Sequence, residues 1–150
     1  MNTYLRAMAA GFIATAVLSM LMFFKSMMGI MPGLDVVHML SGMAHARMGM
    51  PNTPMVGWLI HFMIGTVVWG VLFTLLYTYL PGKSPLVKAL VFSVLAWLLM
   101  MLIPLPMAGA GLFGMKMGLM APMMTLMLHL IWGAVFGVTF AALEKSPVSA

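Results

Sequence analysis

"PMVGWLIHFMIG" at residues 54–65 and "PMMTLMLHLIWG" at residues 122–133 decide the reading of this chain. In both, Pro-Met begins seven residues before a histidine (61 − 54 = 129 − 122 = 7), and a glycine follows four residues after it (65 − 61 = 133 − 129 = 4). The residues between are apolar or glycine apart from Thr125, so one ionisable group sits at the same place in two segments that avoid water. The flanks match as well: "RMGMPNTPM" at residues 47–55 answers "KMGLMAPM" at residues 116–123 with one residue fewer.

Composition fixes the solvent in which such segments fold. The chain is 64% hydrophobic and 6% charged, with a mean hydropathy of +1.14, whereas a soluble globule is about one quarter charged. An integral membrane protein is the remaining class. The uncharged runs between charges give four spans, at about residues 7–24, 55–80, 86–103 and 122–143, each close to the roughly 20 residues that cross a hydrocarbon core. Their backbone must be satisfied internally, which requires helices, and continuous rather than alternating apolarity excludes a barrel. Arg6 before an apolar run, with Ala14-Thr15-Ala16 beyond it, imitates a secretory leader. That site falls too early in the run, so the segment is counted as a span.

The expected fold is therefore an all-α membrane protein, a single domain of four transmembrane helices built as two duplicated helical hairpins. Repeat 1 covers about residues 7–80, repeat 2 about 86–143, and 144–150 form a polar tail. A repeat with two spans returns to its starting side, so the copies are related by an axis along the membrane normal. His61 and His129 are then expected at one depth, about 10 Å below the outer helix ends for seven residues at ~1.5 Å each. Arg6, Lys83, Lys88 and Lys145 fall on the side of the termini, and Lys25, Arg47 and Lys116 on the other, which by the positive-inside tendency places both termini in the cytoplasm. The net charge of +5 reflects these flanking residues and carries no nucleic-acid reading.

Helical spacing sets Gly57, His61 and Gly65 on one row and Thr125, His129, Gly133 and Gly137 on another. Small residues on such rows, with Thr66 and Gly70, let helices approach closely in lipid. The leading expectation is that both histidines serve helix packing. The sharper alternative is a bis-histidine haem b, with two axial imidazoles from equivalent helices and Trp69, Trp132 or Phe62 lining the ring. A third is Cu(I), because thioethers suit a soft ion and 22 methionines are available. Its candidate ligands are His61, His129 and Met124, with His38 and His45 among the outer methionines. Methionine is also a flexible filler of irregular helix surfaces.

Residues 32–49, "PGLDVVHMLSGMAHARMG", read as a short interfacial helix in the first outer loop, with Asp35 near its start and Arg47 near its end as the dipole prefers. Asp35, His38 and His45 are too few and too loosely spaced for zinc, and a solvated face is expected instead.

The stretches "GWLIHFMIGTVVWGVLF" (57–73), "MAGAGLFG" (107–114) and "MAPMMTLMLHLIWG" (120–133) resemble a family of small four-span bacterial membrane proteins of unknown function. The resemblance spans about residues 11–144. It implies a four-helix protein of the bacterial inner membrane and no particular activity.

No Asp or Glu lies within a span, and there is no cysteine, phosphate loop, nucleophile elbow or HExxH. Di-iron chemistry, acid–base catalysis and carboxylate proton relays are disfavoured, so no enzyme activity is expected. The leading functional expectation is a non-catalytic accessory or structural subunit that meets another membrane protein, or a second copy of itself, within the lipid bilayer. Haem-based electron transfer, copper handling and small-solute transport are the alternatives.

Overall fold

A computed structural model describes residues 2–145, and every regular element among them is helical. Helix α1 (Thr3–Met27) is followed by the short α2 (Val36–Met48), then α3 (Pro54–Met63), which passes through a wide turn at Ile64–Val68 into α4 (Trp69–Leu76). Next come α5 (Pro85–Leu102), the one-turn α6 (Pro104–Met107), a tight 3-10 segment at Leu112–Met117, and α7 (Met120–Lys145). Four stretches are long and apolar enough to cross a membrane: Thr3–Met27, Pro54–Leu76, Pro85–Met107 and Met120–Glu144, of 25, 23, 23 and 25 residues. At about 1.5 Å per residue each exceeds the ~30 Å hydrocarbon core. The chain is a multi-pass membrane protein with the expected four-span architecture.

The boundaries differ from the charge-based expectation for local reasons. Helix α1 runs past Arg6 to an Asn2 cap, whose side chain accepts the Leu5 N–H at 2.9 Å. It also runs past Lys25, whose ammonium folds back onto its own chain. Helix α4 stops at Leu76, short of residue 80, and the following turn tucks Leu80 into the core. The third span bends at Ile103 (φ −120°, ψ −72°), because Pro104 lacks an N–H and disfavours helical geometry in the residue before it. The polar tail expected from residue 144 is helical at Glu144 and Lys145, where α7 continues; residues 146–150 lie outside the described residues.

The expected interfacial helix exists as α2, with Asp35 accepting the His38 N–H at its start and Gly49 in the left-handed region at its end. It is packed rather than merely lying on the surface. Val37, Ser41 and Ala44 are buried, and a Cβ on Gly57 would run into the Val37 carbonyl, so α2 and α3 touch backbone to backbone.

Helix α1 packs along α3–α4 on one side and α7 on the other, α7 packs along α5, and α4 and α5 approach each other only sparsely. The half nearer the termini is closed by rings. Phe73 lies 4.7 Å from Phe136, 5.3 Å from Phe140 and 5.4 Å from Phe92 between centroids, and all four are essentially inaccessible. Such edge-to-face clusters bury large apolar area with specific geometry. Lys88 ties the same end, donating to the Tyr77 carbonyl at 2.6 Å and lying 4.3 Å from that ring's centroid.

The wide turn is informative. At Ile64–Val68 the Trp69 N–H bonds the Ile64 carbonyl, an i→i+5 bond in place of i→i+4. Such a turn takes up one extra residue in an otherwise α-helical run. Ahead of it the two hairpins correspond at an offset of 68 (129 − 61, 133 − 65), and after it at 67 (137 − 70, 140 − 73). "WGVLF" at 69–73 thus answers "FGVTF" at 136–140, and both terminal phenylalanines are buried.

Candidate functional site

Where the aromatic cluster ends, the half of the bundle away from the termini holds a partly open cavity of about 130 Å³ lined by all four spans and the connection between the first two. His61 and His129 both line it, with Trp69 and Trp132 from the same helices. The repeated spacing of the two sequences therefore delivers both imidazoles to one space. Phe62 turns away to pack on Phe12, with centroids 5.5 Å apart.

The small residues of the two rows explain how that space is framed. A Cβ on Gly65 would collide with the Thr15 hydroxyl; one on Gly133 would stand 2.5 Å from the Ser93 hydroxyl oxygen. Gly70 lies against Ala7 and Met8 of α1, and Gly137 against Leu86 and Ala89 of α5. A Cβ on Gly11 would come 3.3 Å from the Thr66 Cα. Gly57, by contrast, meets α2 rather than another span. Each hairpin is thus zipped along its length. Trp132 crosses between hairpins, donating its indole N–H to Thr15 Oγ1 at 3.1 Å.

Neither imidazole makes the interhelical bond expected of a packing histidine. His129 Nδ1 lies 2.8 Å from the Thr125 carbonyl oxygen of its own helix. A carbonyl only accepts, so Nδ1 carries the proton and the lone pair of the neutral ring is left on Nε2. Thr125 is itself fixed, its hydroxyl donating to the Ala121 carbonyl at 2.7 Å and accepting from Trp97 Nε1 at 3.1 Å. His61 Nε2 is buried with no hydrogen-bond partner, while the Trp58 and Phe62 rings stand edge-on at 5.8 and 5.9 Å. An unpaired polar atom in such surroundings costs free energy and calls for a partner.

The roof of the cavity is held by Lys25, which donates to the carbonyls of Ile30, Met31 and Leu34 at 3.1, 3.0 and 2.9 Å. All three ammonium hydrogens are thereby committed. The other sequence candidates lie elsewhere. Met124 does not line the cavity, and His38 and His45 are exposed on α2, with His45 Nδ1 donating to the Met50 carbonyl at 2.8 Å. No group of three or more His, Cys, Asp or Glu placed to hold a metal occurs among the described residues. Two lining residues were lost among the 22 methionines: Met22 of α1 and Met100 of α5.

At about 130 Å³ the space is close to the roughly 150 Å³ of an apolar cavity that takes one benzene ring, so the spans as they stand would not enclose a whole porphyrin.

These features define a small multi-pass helical bundle of the membrane with a partly open cavity lined by two histidines. The chain belongs to a family described as a family of unknown function (DUF6789), matched over residues 1–150. No curated protein and no solved structure matches it significantly.

Proposed function

We propose that this is a non-catalytic ligand-binding protein of the bacterial cytoplasmic membrane, with both termini inside, that holds a small ligand between its four spans through His61 and His129. The observation that carries this reading is that His61, whose buried Nε2 has no hydrogen-bond partner, and His129 line one cavity. A histidine kept for packing spends its ring N–H on a neighbouring helix, and neither ring does so. The location rests on the family resemblance and on the distribution of basic flanks.

Native mass spectrometry of protein purified from its own membrane in mild detergent tests this. A bound non-lipid species is expected, and His61→Ala or His129→Ala should each remove it. An empty cavity in protein that instead carries a stoichiometric membrane partner would overturn the ligand reading in favour of an accessory subunit. Flux of a solute across liposomes that survives both substitutions would likewise overturn it, in favour of transport.

A further inference from the structure

The histidines and methionines that line the cavity form two matched pairs. His61 and His129 correspond at the offset of 68 that also relates Gly65 to Gly133. On the partner helices of each hairpin, Gly65 meets Thr15 and Gly133 meets Ser93, so the first and third spans correspond at an offset of 78 (93 − 15). Met22 and Met100 stand at that same offset (100 − 22 = 78), and they are the methionines that line the cavity, as His61 and His129 are its histidines. Each hairpin therefore contributes one imidazole and one thioether at equivalent places.

From this arrangement we propose that the cavity binds a soft monovalent metal ion, Cu(I), through His61, His129, Met22 and Met100. The inference rests on the ligand-binding reading above and names its ligand. Neutral nitrogen and sulfur donors select a soft ion, and hard divalent ions that want carboxylate or water find neither in an apolar lining without Asp or Glu. A single positive charge is also the least costly to bring into such a medium. Thr125 supplies the support that metal-binding histidines use, a backbone carbonyl that holds the far ring nitrogen and leaves Nε2 free. His61 Nε2 makes no hydrogen bond, so ligation would cost it no existing partner. The Lys25 ammonium also borders the cavity, and its charge is turned onto three carbonyls of the roof. The ion is held as Cu(I), with no change of oxidation state.

The test is anaerobic titration of the full chain in detergent with Cu(I) against a chromophoric chelator, with X-ray absorption to identify the coordinating atoms. One ion per chain with both nitrogen and sulfur neighbours is expected. Met22→Leu and Met100→Leu, which preserve shape, should each weaken binding at least roughly tenfold, since loss of even an outer-shell partner costs about 10- to 100-fold. Met124→Leu, outside the cavity, should not. Binding that survives Met22→Leu/Met100→Leu would assign the copper to exposed methionines and overturn the proposal, as would failure to bind one equivalent. Gel filtration and thermal melting of each variant separate lost ligands from lost folding. If Cu(I) fails while a native species still depends on His61 and His129, the metal inference falls and the ligand-binding reading stands; if no species depends on them, both fall.

Discussion

Trp132 donates its indole N–H to the Thr15 hydroxyl at 3.1 Å, joining α7 to α1 between residues 117 positions apart. Both are buried, at 4% and 1% exposure, so neither has water as an alternative partner. Trp132→Phe should destabilise the bundle by about 1 kcal/mol, the order of an interhelical hydrogen bond in membranes. Thr15→Val keeps the shape and strands the indole N–H, which should cost more, about 1–3 kcal/mol. Equilibrium unfolding of the single and double variants in mixed micelles measures both. Additive effects would show that the bond couples nothing.

Glycine has opposite consequences at two places in this fold. A methyl at Gly133 would stand 2.5 and 2.6 Å from the Ser93 Oγ and Cβ and 3.0 Å from the Ala89 carbonyl oxygen. Gly133→Ala should therefore push α7 from α5 and cost about 1–3 kcal/mol as overpacking. Gly42, within α2, has nothing within 4 Å of an added Cβ, and Gly42→Ala should stabilise by about 0.5–1 kcal/mol through lower backbone entropy. Thermal unfolding of the pair gives the signs directly; a neutral Gly133→Ala would refute the close packing.

The four spans, and the placing of His61 and His129 on one cavity, were legible because charge spacing and the repeated motif are both local properties of the chain. The rest depends on paths that local patterns do not encode. Lys25 reads as the charge that ends a span, yet its ammonium is satisfied by carbonyls up to nine residues ahead, which requires the particular fold of residues 28–34. Met22 and Met100 are chemically indistinct from their many neighbours until Thr15 and Ser93 fix the register of the first and third spans. The expectation that the histidines pack across helices came from their rows; the rows pack, but through Gly65 and Gly133.

Lys25 makes a separable prediction. The loop it holds contains Met31 at φ +47°, a left-handed conformation that a non-glycine residue adopts at a cost. Lys25→Met removes all three carbonyl contacts at once. A loss of about 1.5 kcal/mol, the low end for a bond to a charged group, corresponds to about tenfold more frequent local opening. Hydrogen exchange at the Gly29, Ile30 and Leu34 amides, now bonded to Ser26, Lys25 and Met31 carbonyls, should accelerate by that factor while the helical amides of α7 do not change. Unchanged exchange in the loop would mean that it is held by other contacts.

The wide turn after His61 predicts opposite outcomes for two deletions. In the second span, Gly65 and Gly70 both face α1 although five residues separate them, and the i→i+5 bond at Trp69 takes up the surplus. Deleting Val67, which is exposed, should leave an uninterrupted α-helix with both glycines still facing α1, because the next glycine then follows at four, as Gly137 follows Gly133. The fourth span has no such surplus. Deleting Ala134 should rotate everything beyond it by about 100°, one residue of a 3.6-residue turn, carrying Gly137, Phe136 and Phe140 away from α5 and Phe73. The first variant should fold and keep a melting temperature near that of the parent; the second should fail to yield a monodisperse protein. Equal damage from both deletions would mean that the turn is required in itself, for the placing of His61, rather than as the accommodation of one added residue.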